Sequence, residues 1–246
     1  RFNYYLILEN IMALPKLNAT PKYELIIPSS GQKIKYRPYL VKEEKVLMIA
    51  FETGDQKQTL GAVVDTLLAC VYEDIDEGDL TTFDIEYMFT QVRSKSVGES
   101  STILLKCTEC EHQNERPIDI SSIKVIVPEG VSNIIQLTDD ISLEMTYPKY
   151  NQVKNTNFEG NQIEVGFGLV ANSIAAILTE DERTDTKDVT HAEVLEFIES
   201  MTQEQFKKVG DYLEAMPALM HTERFACESC GETNTVVLKG MQDFLS

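Results

Sequence analysis

No apolar run in the sequence approaches the roughly 18 residues that a membrane-spanning helix requires, which predicts a soluble chain. Basic residues are scarce, with 22 Lys and Arg against 40 Asp and Glu for a formal net charge of -18. A surface of that sign repels phosphate backbones and anionic membranes, so nucleic acid is not expected as a partner. The densest basic stretch, Lys33-Ile-Lys-Tyr-Arg37, alternates through Ile34 and Tyr36 and reads more simply as a strand. The glycine motifs that cradle phosphates or dinucleotides are missing, as is a serine in a Gly-x-Ser-x-Gly context, and the three histidines form no catalytic pattern. An enzymatic reading therefore lacks residues, and the expectation is a protein that is not an enzyme. The acidic run at residues 73–79 does not supply a calcium loop either. Placing Gly78 at loop position six puts Ile75 where a ligand is needed.

With 246 residues, 43% of them hydrophobic, the chain is long enough to bury a sizeable core. The expected fold class is α+β, with helical segments around a small antiparallel β region that carries a discontinuous four-cysteine zinc ribbon. Residues 1–11 are read as an upstream or non-native segment without signal-peptide features, and residues 12–246 as one domain. Tyr23, Leu25 and Ile27 alternate, Ser29-Ser30-Gly31 supplies a turn, and Ile34 and Tyr36 alternate again, which predicts a hairpin. A helix should follow, with Leu40, Leu47, Met48 and Phe51 inward and Glu43, Glu44 and Lys45 toward water. Leu60, Val63, Val64, Leu67, Leu68 and Val71 mark a second helix, with Cys70 beside its stripe as a small buried hydrophobe. Ile85, Met88, Phe89 and Val92 mark a third, capped by Thr81 or Thr82.

Strand patterns then occupy residues 103–105, 118–120, 123–127 and 141–145. Residues 150–217 are expected to be a helical insertion. In it Ile163, Phe167, Val170, Ile174 and Ile177 share one helix face, and capping boxes at Thr190-His-Ala-Glu193 and Thr202-Gln-Glu-Gln205 open two short helices. The remainder reads as a hairpin within Phe225 to Leu238 and a terminal helical turn from Met241.

Five cysteines, four of them in two pairs, do not suit a secreted disulfide framework in a chain this large. Cys107-Thr-Glu-Cys110 and Cys227-Glu-Ser-Cys230 each have the spacing that lets one tight turn aim two sulfurs at one cation. Apolar strand patterns precede both, so each is a knuckle at a hairpin tip, with halves at residues 99–127 and 222–239. Together they make a closed, structural zinc site with no open position for catalysis. Residues 111 to 226 intervene, 116 in all. Closing such a loop costs roughly 4 to 5 kcal/mol, against roughly 10 to 16 kcal/mol from structural zinc in small peptides. Competing readings are a mixed site using His112 or His221, a disulfide, and two redox-active pairs. The last calls for a first cysteine at a helix N-terminus, and here strand patterns flank both pairs.

Leu14-Pro-Lys-Leu-Asn18, Ile27-Pro-Ser-Ser-Gly31 and Tyr36-Arg-Pro-Tyr-Leu-Val-Lys-Glu-Glu-Lys-Val-Leu47 resemble the baseplate hub assembly proteins of T-even-like, contractile-tailed bacteriophages, over about residues 12 to 52. The resemblance implies a structural or assembly factor of the tail baseplate, made in the host cytoplasm, carried in the virion or released after assembly, and acting through contacts with other baseplate or hub proteins. Tyr36, Arg37 and Tyr39 beside Pro38 are residue types enriched at interface centres and are the candidate partner-binding residues. Core packing of the tyrosines is the alternative. Two rival functions stay open: a zinc-ribbon nucleic-acid or transcription factor, and a thiol oxidoreductase.

Overall fold

The structure is a computed structural model and describes residues 20–155 and 161–245. Residues 1–11, and the Leu14 to Asn18 part of the resemblance, lie outside them. The first layer is the expected hairpin, β1 (Tyr23–Ile26) against β2 (Lys33–Tyr36), antiparallel with Tyr23 opposite Tyr36. Gly31, at φ 70°, turns the chain so that its N–H donates to Ile27 O at 2.8 Å. The hairpin lies on three helices, α1 (Val41–Thr53), α2 (Gln56–Cys70) and α3 (Thr82–Ser96). Ile34, Leu47, Val63, Val64, Leu67, Met88, Phe89 and Val92 form their common core, and Cys70 is buried among them. Thr81 caps α3 in a reciprocal box with Asp84. The same Asp84 carboxylate accepts from the N–H and hydroxyl of Ser29, which fastens the hairpin turn to the helix.

Helix α1 departs from the expected orientation. Glu43, Leu47 and Ala50 face inward, whereas Leu40, Met48 and Phe51 are exposed. The reason is an ion pair that the local pattern does not reveal. Arg37 Nη2 donates to Glu43 Oε1 at 2.8 Å, and Glu43 Oε2 accepts the Leu40 N–H at 2.8 Å at the start of the helix. Burial pushes the Glu43 carboxyl up, but the hydrogen bonds from Arg37, Leu40 and Lys42 outweigh it and hold it down at about 2. A depressed folded-state value means that the pair stabilises the fold fully above the ordinary glutamate range. That contribution is lost as pH falls from about 4.5 toward 2. Glu43→Gln should flatten this acid limb in a pH series of thermal unfolding; an unchanged limb would assign the acid sensitivity elsewhere.

The chain continues through β3 (Ser100–Lys106), β4 (Gln113–Asp119) and β5 (Lys124–Ile126) into β6 (Ile134–Gln136) and β7 (Ser142–Met145). After α4 (Tyr150–Asn155) come α5 (Gln162–Asn172), β8 (Ile174–Leu178), β9 (Arg183–Asp185), α6 (His191–Glu199) and α7 (Gln203–Glu214). The chain closes with β10 (Ala218–Ala226), β11 (Thr233–Lys239) and α8 (Gln242–Leu245). The capping boxes at Thr190 and Thr202 open α6 and α7 as expected.

Ile174 and Ile177 do not extend α5. The helix stops at Asn172, the Ser173 hydroxyl donates back to Leu169 O at 2.8 Å, and Ile174 begins a strand that pairs with β7. The stretch 150–217 is therefore not purely helical. Its strands β8 and β9 join β6 and β7 in one antiparallel sheet of order β6-β7-β8-β9. Leu143, Met145, Val170, Ile174, Val194, Ile198 and Val209 pack between this sheet and α5 to α7. Phe83 of α3 meets Tyr147 edge-on at 5.4 Å, and Tyr147 stacks on Tyr212 at 5.9 Å, which ties this body to the N-terminal helices.

Candidate metal centre

Two hairpins remain, and they position the cysteines. Strands β3 and β4 pair in register from Ser100 opposite Asp119 to Lys106 opposite Gln113, with Cys107 and Cys110 in the connecting turn. Strands β10 and β11 pair from Met220 opposite Lys239 to Ala226 opposite Thr233, with Cys227 and Cys230 in theirs. β5 adds to β10 as a third strand. Ile103, Leu105, Ile118, Phe225 and Leu238 on the inner faces form a small core with Ile120, Leu219 and Phe244, and Tyr87 of α3 lies against it. This apolar contact sets the hairpins side by side and places their tips together.

The turns close in the same way. Cys107 N–H donates to His112 O at 2.9 Å and Glu111 N–H returns to Cys107 O; Cys227 N–H donates to Glu232 O at 2.8 Å and Gly231 N–H returns to Cys227 O. The residue after the second cysteine is left-handed in both, Glu111 at φ 60° and Gly231 at φ 76°. All four sulfurs lie within 4.8 Å of one another. Cys107 Sγ is 3.7 Å from Cys230 Sγ, and Cys110 Sγ is 3.6 Å from Cys227 Sγ. Four thiolates around zinc at about 2.3 Å would stand about 3.8 Å apart along the edges of a tetrahedron, so the donor set fits that ion. Each near neighbour across the cluster belongs to the other hairpin, at a separation far beyond a disulfide bond of about 2.05 Å.

The electrostatics favour thiolate at the two buried positions. The Cys110 N–H directed at Cys107 Sγ lowers that thiol, with the Glu109 N–H and the Asn234 amide adding to it against burial. The Cys230 and Ser229 N–H groups bring Cys227 down to about 6. At Cys230 the Glu232 N–H pulls the thiol down, but the neighbouring sulfurs of Cys110, Cys227 and Cys107 prevail and push it up to about 12. Four sulfurs this close hold full negative charge only beside a cation.

His112 and His221 do not join the cluster; His221 Nε2 instead faces Glu223 Oε2 at 3.1 Å. Neither cysteine pair begins a helix, the setting that redox-active pairs need.

Two functional candidates escaped the sequence reading. Asn114 and Asn234 are 0% and 1% exposed and stand at the same distance after their cysteine pairs, so each hairpin carries Cys-x-x-Cys-x-x-x-Asn. That shared spacing was the available signal. By contrast, Tyr36 is 2% exposed and belongs to the N-terminal core. Arg37 spends its guanidinium on Glu43, Pro38 O and Ala69 O, and Tyr39 is half-buried with its N–H on Ser96 Oγ. The expected docking residues thus knit β2 to α1, α2 and α3, and Tyr36 presents no surface to a partner.

The fold and the cluster together define an α+β protein in which two sequence-distant hairpins converge on four thiols. The family described as T4 bacteriophage base plate protein matches residues 20–246, and the chain belongs to it. No curated protein and no solved structure matches. Baseplate membership makes other baseplate proteins the partner class and the virion tail the place of action. It does not favour the nucleic-acid or redox readings. No helix among the described residues is long and apolar enough to cross a membrane.

Proposed function

We propose that this protein is a hub component or hub assembly factor of the tail baseplate, without catalytic activity, made in the host cytoplasm and fastened by one structural zinc on Cys107, Cys110, Cys227 and Cys230. The observation that carries the zinc reading is the convergence of four sulfurs within 4.8 Å from hairpins far apart in sequence. Zinc there acts as a cross-link, because the four thiolates fill a tetrahedral shell and leave no position for substrate or water. The clip joins residues 99–127 to residues 222–239 and gathers the intervening sheet and helices into one domain. Action through protein contacts is supported by α1, whose outer face exposes Val41, Val46, Met48, Ile49 and Phe51.

Elemental mass spectrometry of protein purified without a metal-affinity column should give one zinc per chain, and metal-free protein would overturn the clip. The hub role is read separately. A phage lacking this gene product should accumulate incomplete baseplates by electron microscopy, whereas normal tails would remove the assignment.

A further inference from the structure

The two hairpins are a structural repeat at an offset of 120 residues, and the repeat includes more than the cysteines. Leu105 faces Asn114 across β3 and β4 as Phe225 faces Asn234 across β10 and β11. Within its own hairpin each asparagine amide is anchored to the turn: Asn114 Nδ2 donates to His112 O at 3.0 Å and Asn234 Nδ2 to Glu232 O at 3.0 Å. Asn114 Nδ2 also donates to Leu105 O of its own hairpin at 3.3 Å; the remaining contacts cross to the opposite hairpin. Asn114 Oδ1 accepts the Glu228 N–H at 2.8 Å while its Nδ2 lies 3.8 Å from Cys227 Sγ. Asn234 Oδ1 accepts the Thr108 N–H at 2.9 Å while its Nδ2 lies 3.5 Å from Cys107 Sγ. A backbone N–H only donates, so the oxygen of each amide must face it and the NH2 must face the sulfur.

The sulfurs so contacted are the two buried ones. Cys107 and Cys227 are removed from water, whereas Cys110 and Cys230 are exposed and reach solvent for hydration. A buried thiolate without donors is costly, and four thiolates around a divalent cation leave two net negative charges in a chain already at -18. An asparagine fixed to one hairpin and donating to the other's buried sulfur is present only when the hairpins are docked. It therefore couples their docking to the surroundings of the buried ligand sulfurs.

On this geometry, and resting on the zinc reading above, we propose that Asn114 and Asn234 are a reciprocal pair of positioning residues for the metal. Each amide orients and stabilises the buried thiolate of the opposite hairpin. Partners of metal ligands of this kind commonly control about 10- to 100-fold in metal affinity.

The test is the zinc dissociation constant and release rate of the full chain in competition with a chromophoric chelator, together with the thiolate-to-metal charge-transfer band of the cobalt-substituted protein. Asn234→Asp keeps the acceptor for the Thr108 N–H but replaces the NH2 facing Cys107 with an oxygen. It should weaken zinc binding about 10- to 100-fold and move the cobalt band. A role confined to the Thr108 contact would survive that substitution, so native affinity and an unmoved band in a folded Asn234→Asp chain overturn the proposal. Should Asn234→Asp not fold by circular dichroism, Asn114→Ser, which leaves the second brace intact, is read the same way, and unchanged affinity again overturns it. Zinc absent from the unmodified protein overturns the zinc reading and this inference together; zinc present with unaltered variants overturns this inference alone.

Discussion

Cys227→Ser is expected to abolish zinc retention and to undo the docking of the two hairpins. Structural zinc contributes on the order of 10 to 16 kcal/mol in small peptides, which rivals the whole stability of about 5 to 15 kcal/mol of an ordinary domain. The apolar contact between the hairpins is small, a handful of side chains around Phe225, Leu238, Ile103 and Ile118, and does not replace such a cross-link. Hydrogen exchange should accordingly lose protection first at residues 100–119 and 218–239. The N-terminal cluster around Val63, Leu67 and Met88 has its own core and should keep its protection longer. Chelation of the unmodified protein should reproduce the same pattern. Cys70 supplies the control: it is buried among Leu67 and its neighbours, away from the cluster, so Cys70→Ala should keep one zinc and lose only packing. A Cys227→Ser protein with full zinc and unchanged exchange would show that the cluster is not a metal clip.

What could be read in the sequence was what chemistry dictates locally. Thr190 and Thr202 announce their helices because a cap and its partner lie three residues apart, and Cys-x-x-Cys announces a knuckle for the same reason. Ile174 and Ile177 fit a helix face by spacing because a short apolar run satisfies either period. The strand is decided by Ser142–Met145, some thirty residues away, which offers Ile174 to Leu178 a ladder to join. Glu43 reads as a solvent-facing carboxylate until Arg37 is placed beside it. Asn114 and Asn234 lacked meaning in isolation since their sulfur partners lie on the opposite hairpin, although their repeated position after each cysteine pair was in view.

Arg37→Ala separates a docking role for this side chain from a structural one. A docking residue should be dispensable for folding, so that Arg37→Ala would weaken partner capture and leave the melting temperature alone. In the fold its side chain is largely buried and serves three acceptors on three segments, Pro38 O, Ala69 O and Glu43 Oε1. Removing one member of such a pair strands the other charge, a loss of about 3 kcal/mol, or roughly 6 to 12 °C in melting temperature for a chain of this size. Lysine should rescue little, because a single ammonium does not reproduce a planar fork that reaches separate acceptors. Pairing Arg37→Met with Glu43→Leu should recover much of the loss by removing the stranded carboxylate as well. Zinc content should stay at one per chain throughout, since the pair lies in the N-terminal layer and the thiols lie between the hairpins. An Arg37→Ala protein that melts normally yet fails to assemble into baseplates would reverse the assignment and return Arg37 to the docking surface.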